Sequence, residues 1–238
     1  MLKKGKKSLK SLKLLIISGA TGKLNEMEEF SCALEKLGVN CKIVQESDFG
    51  QGFPSKDFAN WFNTKTKKLL NEFKPDAVYV DRQAHFCVQA INSKIPVFVH
   101  LRGHYWQEIE AAKKTIYKSK IMHLVIWLRD RIAKKCFEKS TAVLPNCTYL
   151  KNVVEEHHQH QSISVLNVGI HSEDWYDVKG MSLKHPCVGL LQDANWWGKT
   201  KEMLILKNVV EELPNVNFYW AGDGKYRERV LSVLDKFD

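Results

Sequence analysis

Short β-rich runs alternate with helical patterns along most of this chain, and no other feature limits its fold so tightly. LLII (14–17), CKIV (41–44), AVYV (77–80), PVFVHL (96–101), TAVLP (141–145) and SVLNV (164–168) each read as a strand. Helical spacing fills the intervals. In 26–37, Met27, Phe30, Ala33, Leu34 and Leu37 recur on one side, and Gly38 ends the helix as its C′ residue. The segment 56–73 repeats the pattern with Phe58, Trp61, Phe62, Leu69 and Leu70. Parallel strands need long crossovers, so alternation of this kind predicts an α/β class with a doubly wound parallel sheet covered on both faces.

A second βα series starts near Pro186. CVGLL (187–191) and VNFYWAG (216–222) read as strands, and 199–213 and 225–238 as helices. Between the two series, HSEDWYDVKGMSLKH (171–185) is polar and aperiodic, as a linker is. The expected organisation is a basic tail (1–12), a Rossmann-like domain (13–170), the linker (171–185) and a second Rossmann-like domain (186–238). Sheets normally hold about 4–6 strands, so the second domain reads as incomplete.

The formal charge of +9 suits nucleic acid, an anionic membrane face or phosphorylated substrates, and composition does not choose between them. No apolar run approaches the roughly 20 residues of a membrane span. The lysine-rich start lacks the apolar length and cleavage site of a signal peptide. Six scattered cysteines without a C-x-x-C pair fit reduced, mostly buried thiols in a cytosolic protein. In 118–139, Ile121, Leu124, Val125, Leu128 and Ile132 form an apolar side with Trp127 at its margin, and the remainder is basic. Such a helix packs on a core or lies on an anionic membrane. The HHQH run (157–160) has no matching ligand set nearby and reads as a solvated loop; no metal site is expected.

Three groups of residues can carry chemistry. Gly19 and Gly22 lie where the first strand turns into a helix, in SGATGKLNEMEEF, so backbone N–H groups can face an anion or a hydroxyl. GATGKLN also looks like the start of a nicotinamide-dependent reductase, with Glu46 as the acidic residue for the ribose. However, Asn25 replaces its third glycine, and no tyrosine has a lysine four residues on. The second group follows the third strand: Asp81, Arg82, Gln83 and His85. The third follows the fourth strand: His100, Arg102, Gly103 and His104. Ligands of open α/β sheets bind at carboxyl ends of strands, where these residues fall. Of the two histidines, His104 is preferred as the reactive one, because it lies beyond the strand beside Gly103.

LNVGIHSEDWY (166–176), preceded by TAVLPNCTYLKNVVEE (141–156), resembles the segment that ends the first domain of family 4 glycosyltransferases. VGLLQDANWWGKTKEM (188–203) and VNFYWAGDGKYRERV (216–230) resemble the strand–loop–helix and G-x-G turn of that family's second domain. The resemblance implies a GT-B fold of two Rossmann-like domains. The first binds the acceptor and the second a nucleotide-sugar, with transfer that retains anomeric configuration and needs no metal or other cofactor. It implies His104 or His100 as the catalytic histidine, and Gly19, Gly22, Asp81, Arg82, His85, Arg102 and Gly103 on the acceptor side. Gly189, Lys199, Lys201, Gly222 and Gly224 fall on the donor side, Lys199 ahead of Lys201 as the cation for the diphosphate. Leu190 stands where the family has an arginine, and the family's glutamate pair has no counterpart after Asp223. Trp196 and Trp197 either stack on a base or sugar or pack the loop.

The expected function is therefore transfer of a sugar from a nucleotide-sugar to a glycan or lipid-linked acceptor, without nucleic acid. The expected location is the cytoplasm, with peripheral contact on the inner face of an anionic membrane. The alternatives are the reductase and a non-catalytic half of a split transferase.

Overall fold

A computed structural model describes residues 11–19, 23–49, 64–115, 119–159, 161–170, 172–174, 176–177, 179–195 and 197–234. Gly22, Trp196, His160, Phe58, Trp61, Phe62 and the tail before Ser11 lie outside the described residues. The chain divides into two compact units, Met1–Asp174 and Trp175–Asp238.

In the first unit, strands β1 (Lys13–Ser18), β2 (Asn40–Gln45), β3 (Ala77–Val80), β4 (Val97–Leu101) and β5 (Ala142–Pro145) form one parallel sheet in the order β2-β1-β3-β4-β5. Helices α1 (Leu24–Lys36), α2 (Thr64–Phe73), α3 (His85–Asn92), α4 (Tyr105–Thr115), α5 (Lys120–Lys139) and α6 (Thr148–His157) accompany it. Strands buried on both faces cannot alternate apolar with polar, which is why β1 reads as a continuous apolar run. Successive side chains point to opposite faces. Leu15, Ile17, Val78, Val80, Val97, Val99 and Val143 join the main core with α3, α5 and α6. Ile16 and Tyr79 face the other way, onto Met27 and Phe30 of α1, with Leu144 and Leu166 packed beside them.

Helix α1 ends as the glycine signal predicts. Gly38 has φ +86°, its N–H donates to the Glu35 carbonyl, and the Val39 N–H donates to the Leu34 carbonyl. This is a Schellman closure, open to a residue without a Cβ.

Three expectations for the first unit and the cysteines need correction. SVLNV (164–168) is not a strand. An isolated bridge, Val143 to Ile163, lies just before it, and the segment donates from Ser164 and Leu166 to the carbonyls of Val143 and Pro145. The apolar face of α5 is also rotated. The helix buries Ile126, Ala133, Cys136 and Phe137, and leaves Ile121, Leu124 and Trp127 exposed. Small Ala133 and Cys136 allow the close approach of α5 to α3 that larger residues would block. Of the six free cysteines only Cys87 and Cys136 are buried, and Cys32 is exposed.

In the second unit, β6 (Cys187–Leu191) and β7 (Asn217–Ala221) pair in parallel, with α7 (Trp197–Thr200), α8 (Leu206–Glu212) and α9 (Arg227–Leu231). The helix expected over 199–213 is broken by a 3₁₀ turn, Lys201–Ile205. Phe218 and Trp220 on one sheet face pack with Met203, Val210 and Val230. The loops after β6 and β7 lie against each other: Trp220 Nε1 donates to the Gln192 carbonyl at 2.8 Å, and the Ala194 N–H to the Asp223 carbonyl at 2.9 Å.

A Cβ on Gly222 would sit 2.0 Å from the Gln192 carbonyl oxygen, and one on Gly224 2.5 Å from the Ala194 carbonyl carbon. The G-x-G turn is thus occupied by loop-on-loop packing. Gly222→Ala is expected to destabilise the protein by about 2–3 kcal/mol through this overlap. Gly189→Ala, whose Cβ meets nothing within 4 Å, should stay within about 0.5 kcal/mol of wild type in the same urea titration.

Candidate functional site

The strand order reverses between β1 and β3, the switch point where open parallel sheets form a crevice. A cavity of about 480 Å³ opens there, with Gly19 from the end of β1, Asp81 to His85 from the end of β3 and His100 to Gly103 from the end of β4 on its wall. Its size fits a sugar-sized or larger ligand.

Asp81 anchors the site. Its N–H donates to the Ile17 carbonyl, which ties the end of β3 to β1, and its carboxylate is nearly out of water at 4% exposure. Arg102 Nε lies 2.7 Å from Asp81 Oδ1, and Lys23 Nζ lies 3.8 Å from Oδ2. Burial alone would raise the Asp81 carboxyl. The hydrogen bond with His100 and the charges of Lys23 and Arg102 outweigh it and hold the group below the usual aspartate value. Arg102 also pairs with Glu26 in the first turn of α1. Burial would weaken its hold on the proton, but Glu26 and Asp81 raise its pKa instead.

Arg82 reaches across the end of β1. Its Nε and Nη2 donate to Glu46 Oε2 at 3.2 and 3.0 Å. Glu46 sits in the turn after β2, 2% exposed; burial pushes its pKa up and the Arg82 charge opposes that. Gly19 is required here, since a Cβ would lie 2.5 Å from Arg82 Nε. Glu46 is thus committed to a guanidinium and not presented to a ribose.

His100 is 2% exposed and faces the α1 side of the sheet, its ring 5.7 Å from Tyr79. Arg102 Nε lies 3.2 Å from its Nδ1, and the same Nδ1 lies 3.8 Å from Asp81 Oδ1. The Nε2 of the ring is buried with no partner among the described residues. His100 and Arg102 also line a second cavity of about 170 Å³, walled by Phe30, Tyr79 and residues 166–170. His85, at the start of α3, has its pKa lowered by burial and is neutral at pH 7.

His104 sits elsewhere. Its Nδ1 accepts the Gln107 N–H at 3.2 Å and so caps the start of α4, and the cavity wall runs through Gly103 and Tyr105 without it. Its ring lies near Trp106 and Tyr149. The sequence preference for His104 over His100 thus meets a geometry in which His100 lines the cavity. His157 of the HHQH run stacks on Trp106 at 4.0 Å and 8°, and is not a free loop side chain. Among the described residues no three metal-ligating side chains cluster.

Sequence reasoning did not single out Lys23, Glu26, Glu108 or Arg129. Glu108 carboxylate approaches Gly103, where a Cβ would lie 2.4 Å from it. In the second unit, Gly189 of β6, Lys199 of α7 and Lys201 of the 3₁₀ turn are all exposed, and Gly222 and Gly224 are packed as described above. Trp197 lies under the Arg229 guanidinium, 3.9 Å away, and beside Tyr226.

Asp81→Asn is expected to cost about 1–3 kcal/mol at pH 7, because it leaves the Arg102 guanidinium to the half-exposed Glu26 and takes the counter-charge from Lys23. The Asp81 pKa is depressed, so the wild-type advantage is present above the ordinary aspartate value of about 3.9 and is lost as pH falls below it. Urea titrations of both proteins at neutral and acid pH should show the gap closing.

No protein-family model and no curated protein matches the chain. Solved structures do. The apo form of the lipopolysaccharide outer core galactosyltransferase WaaB superposes with a TM-score of 0.59 at 13% identity, over 95% of this chain and 67% of that one. A UDP-N-acetylglucosamine 2-epimerase matches with a TM-score of 0.54 at 14% identity, over 96% of this chain and 68% of that one. The UDP-GlcNAc 2-epimerase from Neisseria meningitidis, bound to UDP-GlcNAc, matches with a TM-score of 0.51 at 14% identity, over 95% and 70%. At these identities the likeness is one of fold, and the fold is α/β of the GT-B type.

Proposed function

We propose that this chain acts in glycosyl transfer, moving a sugar from a nucleotide-sugar donor to a glycan or lipid-linked acceptor. The observation that carries the reading is the charge-matched cavity at the switch point. Arg82 is answered by Glu46, and Arg102 by Asp81 and Glu26. A wall of paired ions with an unpartnered His100 Nε2 offers fixed donors and acceptors without a large net charge. Hydroxyl-rich, weakly charged ligands need that kind of surface, because each buried polar group they present must find a partner.

In this reading the first unit holds the acceptor, with Gly19, Asp81, Arg82, His85, His100, Arg102 and Gly103 around it. The second unit holds the donor, with Lys199 and Lys201 toward the diphosphate, where a departing nucleoside diphosphate gains negative charge that a cation stabilises. The resemblance to family 4 supports retention of configuration and chemistry without a metal. The reductase is the weaker alternative, because Glu46 is tied to Arg82. A non-catalytic half of a split transferase would bind donor without turning it over.

Thermal melting with millimolar UDP-glucose, GDP-mannose, UDP-GlcNAc or NADPH tests the reading. A sugar nucleotide should raise the midpoint by several degrees, and Lys199→Ala/Lys201→Ala should abolish the rise. Stabilisation by NADPH alone rejects the transferase, and conversion of UDP-GlcNAc to an epimer replaces it with an epimerase. With transfer established, His100→Ala should lower kcat by about 10²–10³-fold. His104→Ala should instead cost about 1 kcal/mol of stability through its lost cap, with transfer nearly intact.

A further inference from the structure

The outer face of α5 carries an arrangement that core packing does not explain. Ile121, Leu124 and Trp127 are 77%, 57% and 51% exposed, on a helix whose opposite side is fully buried through Ile126, Ala133 and Phe137. At 100° per residue, Lys120, Leu124, Trp127, Arg131, Lys134 and Lys135 share one stripe, with Ile121 at its edge. The Arg131 guanidinium lies over the Trp127 ring at 4.9 Å, so cation and indole already form one unit. Along α5 there are six basic side chains and two acidic ones, and Glu138 of the acidic pair is held by Lys134 at 3.7 Å. The same helix supplies Arg129 and Ile132 to the wall of the large cavity.

We infer that the outer face of α5 docks on an anionic lipid surface and presents the neighbouring cavity to an acceptor carried by that surface. The inference rests on the transferase reading for the acceptor and on α5 alone for the docking. Leucine, isoleucine and tryptophan between lysines and arginines match an acyl–headgroup boundary: the apolar groups enter it and the cations meet lipid phosphates. A nucleic acid would satisfy the cations and leave Ile121 and Leu124 in water, which favours lipid. No helix among the described residues is long and apolar enough to cross a membrane, so the contact lies on the surface. Arg129 and Ile132 line the cavity from the far side of the same helix, so a lipid-linked acceptor would reach it around the edge of α5.

Sedimentation of the whole chain with phosphatidylcholine vesicles, with or without one-third phosphatidylglycerol, tests this. The chain should pellet with the anionic vesicles only, and rising salt should release it. Leu124→Ser/Trp127→Ser and, separately, Lys134→Glu/Lys135→Glu should each weaken partitioning by about tenfold or more. All four side chains are exposed, and the charge reversal breaks only the surface contacts of Lys134 with Glu138 and of Lys135 with Asn92, so melting midpoints should fall by a few degrees at most, and a variant that fails this check leaves the other to decide. No partitioning, or partitioning unchanged in both variants, overturns the docking. Tighter binding to a DNA or RNA duplex that the same variants abolish overturns it in favour of a polynucleotide surface. The assay needs no donor, so vesicle binding without a sugar-nucleotide melting shift rejects only the transferase reading, and the reverse pattern rejects only the docking.

Discussion

A carboxylate held almost out of water at the reversal point of a parallel sheet constrains everything near it. Asp81 sits where β3 ends beside β1, and its own N–H is already spent on Ile17. Its charge must be answered by side chains, and those must come from elements that end at the same edge. Arg102 comes from β4 and Lys23 from the turn before α1. Arg102 then has charge to share, and Glu26 in the first turn of α1 takes it, where a negative group also suits the helix dipole. One buried aspartate thus links three strand ends and a helix start. The cavity is the space these paired groups enclose.

A separate pair repeats the device one strand outward. Glu46 after β2 and Arg82 after β3 meet across the end of β1, and Gly19 leaves room for the crossing. Both pairs are charge-matched, so their contribution is geometry more than net attraction. Removing Arg82 strands the buried Glu46 carboxylate, which is the costly direction, whereas Arg82 itself is half exposed and tolerates the loss of Glu46. A rigid wall of oriented donors and acceptors is also what a polyhydroxyl ligand requires.

Much of this was legible in the sequence. Strands buried on both faces are apolar throughout, so LLII and AVYV announce themselves, and the polar sets that follow them mark the strand ends. Strand order was not legible, because nothing local in β2 says that it pairs with the far side of β1. For the same reason Asp81, Arg82 and Arg102 could be named while Lys23 and Glu26, their answers from α1, could not. SVLNV has a strand's composition but hydrogen-bonds only near Val143 and Pro145. Nor were the surroundings of the two histidines legible: the Gln107 N–H donates to His104 Nδ1 as a helix cap, and strand alternation sends His100 to the α1 face.

Helix α5 shows why periodicity alone could not settle orientation. Two stripes compete on it. One, through Ile121, Leu124, Leu128 and Ile132, has more apolar bulk, and the other, through Ile126, Ala133, Cys136 and Phe137, has less. Bulk favours the first when burial is counted by area, but a helix wedged beside α3 is limited by how closely its backbone can approach. Ala133 and Cys136 permit that approach, and Phe137 then stacks on Trp106 from α4 at 5.3 Å. Packing therefore buries Ile126, Ala133, Cys136 and Phe137, keeps Ile132 against the core, and leaves Ile121 and Leu124 exposed. The same helix carries Arg129 and Ile132 to the cavity wall, while Leu124 and Trp127 stay in solvent.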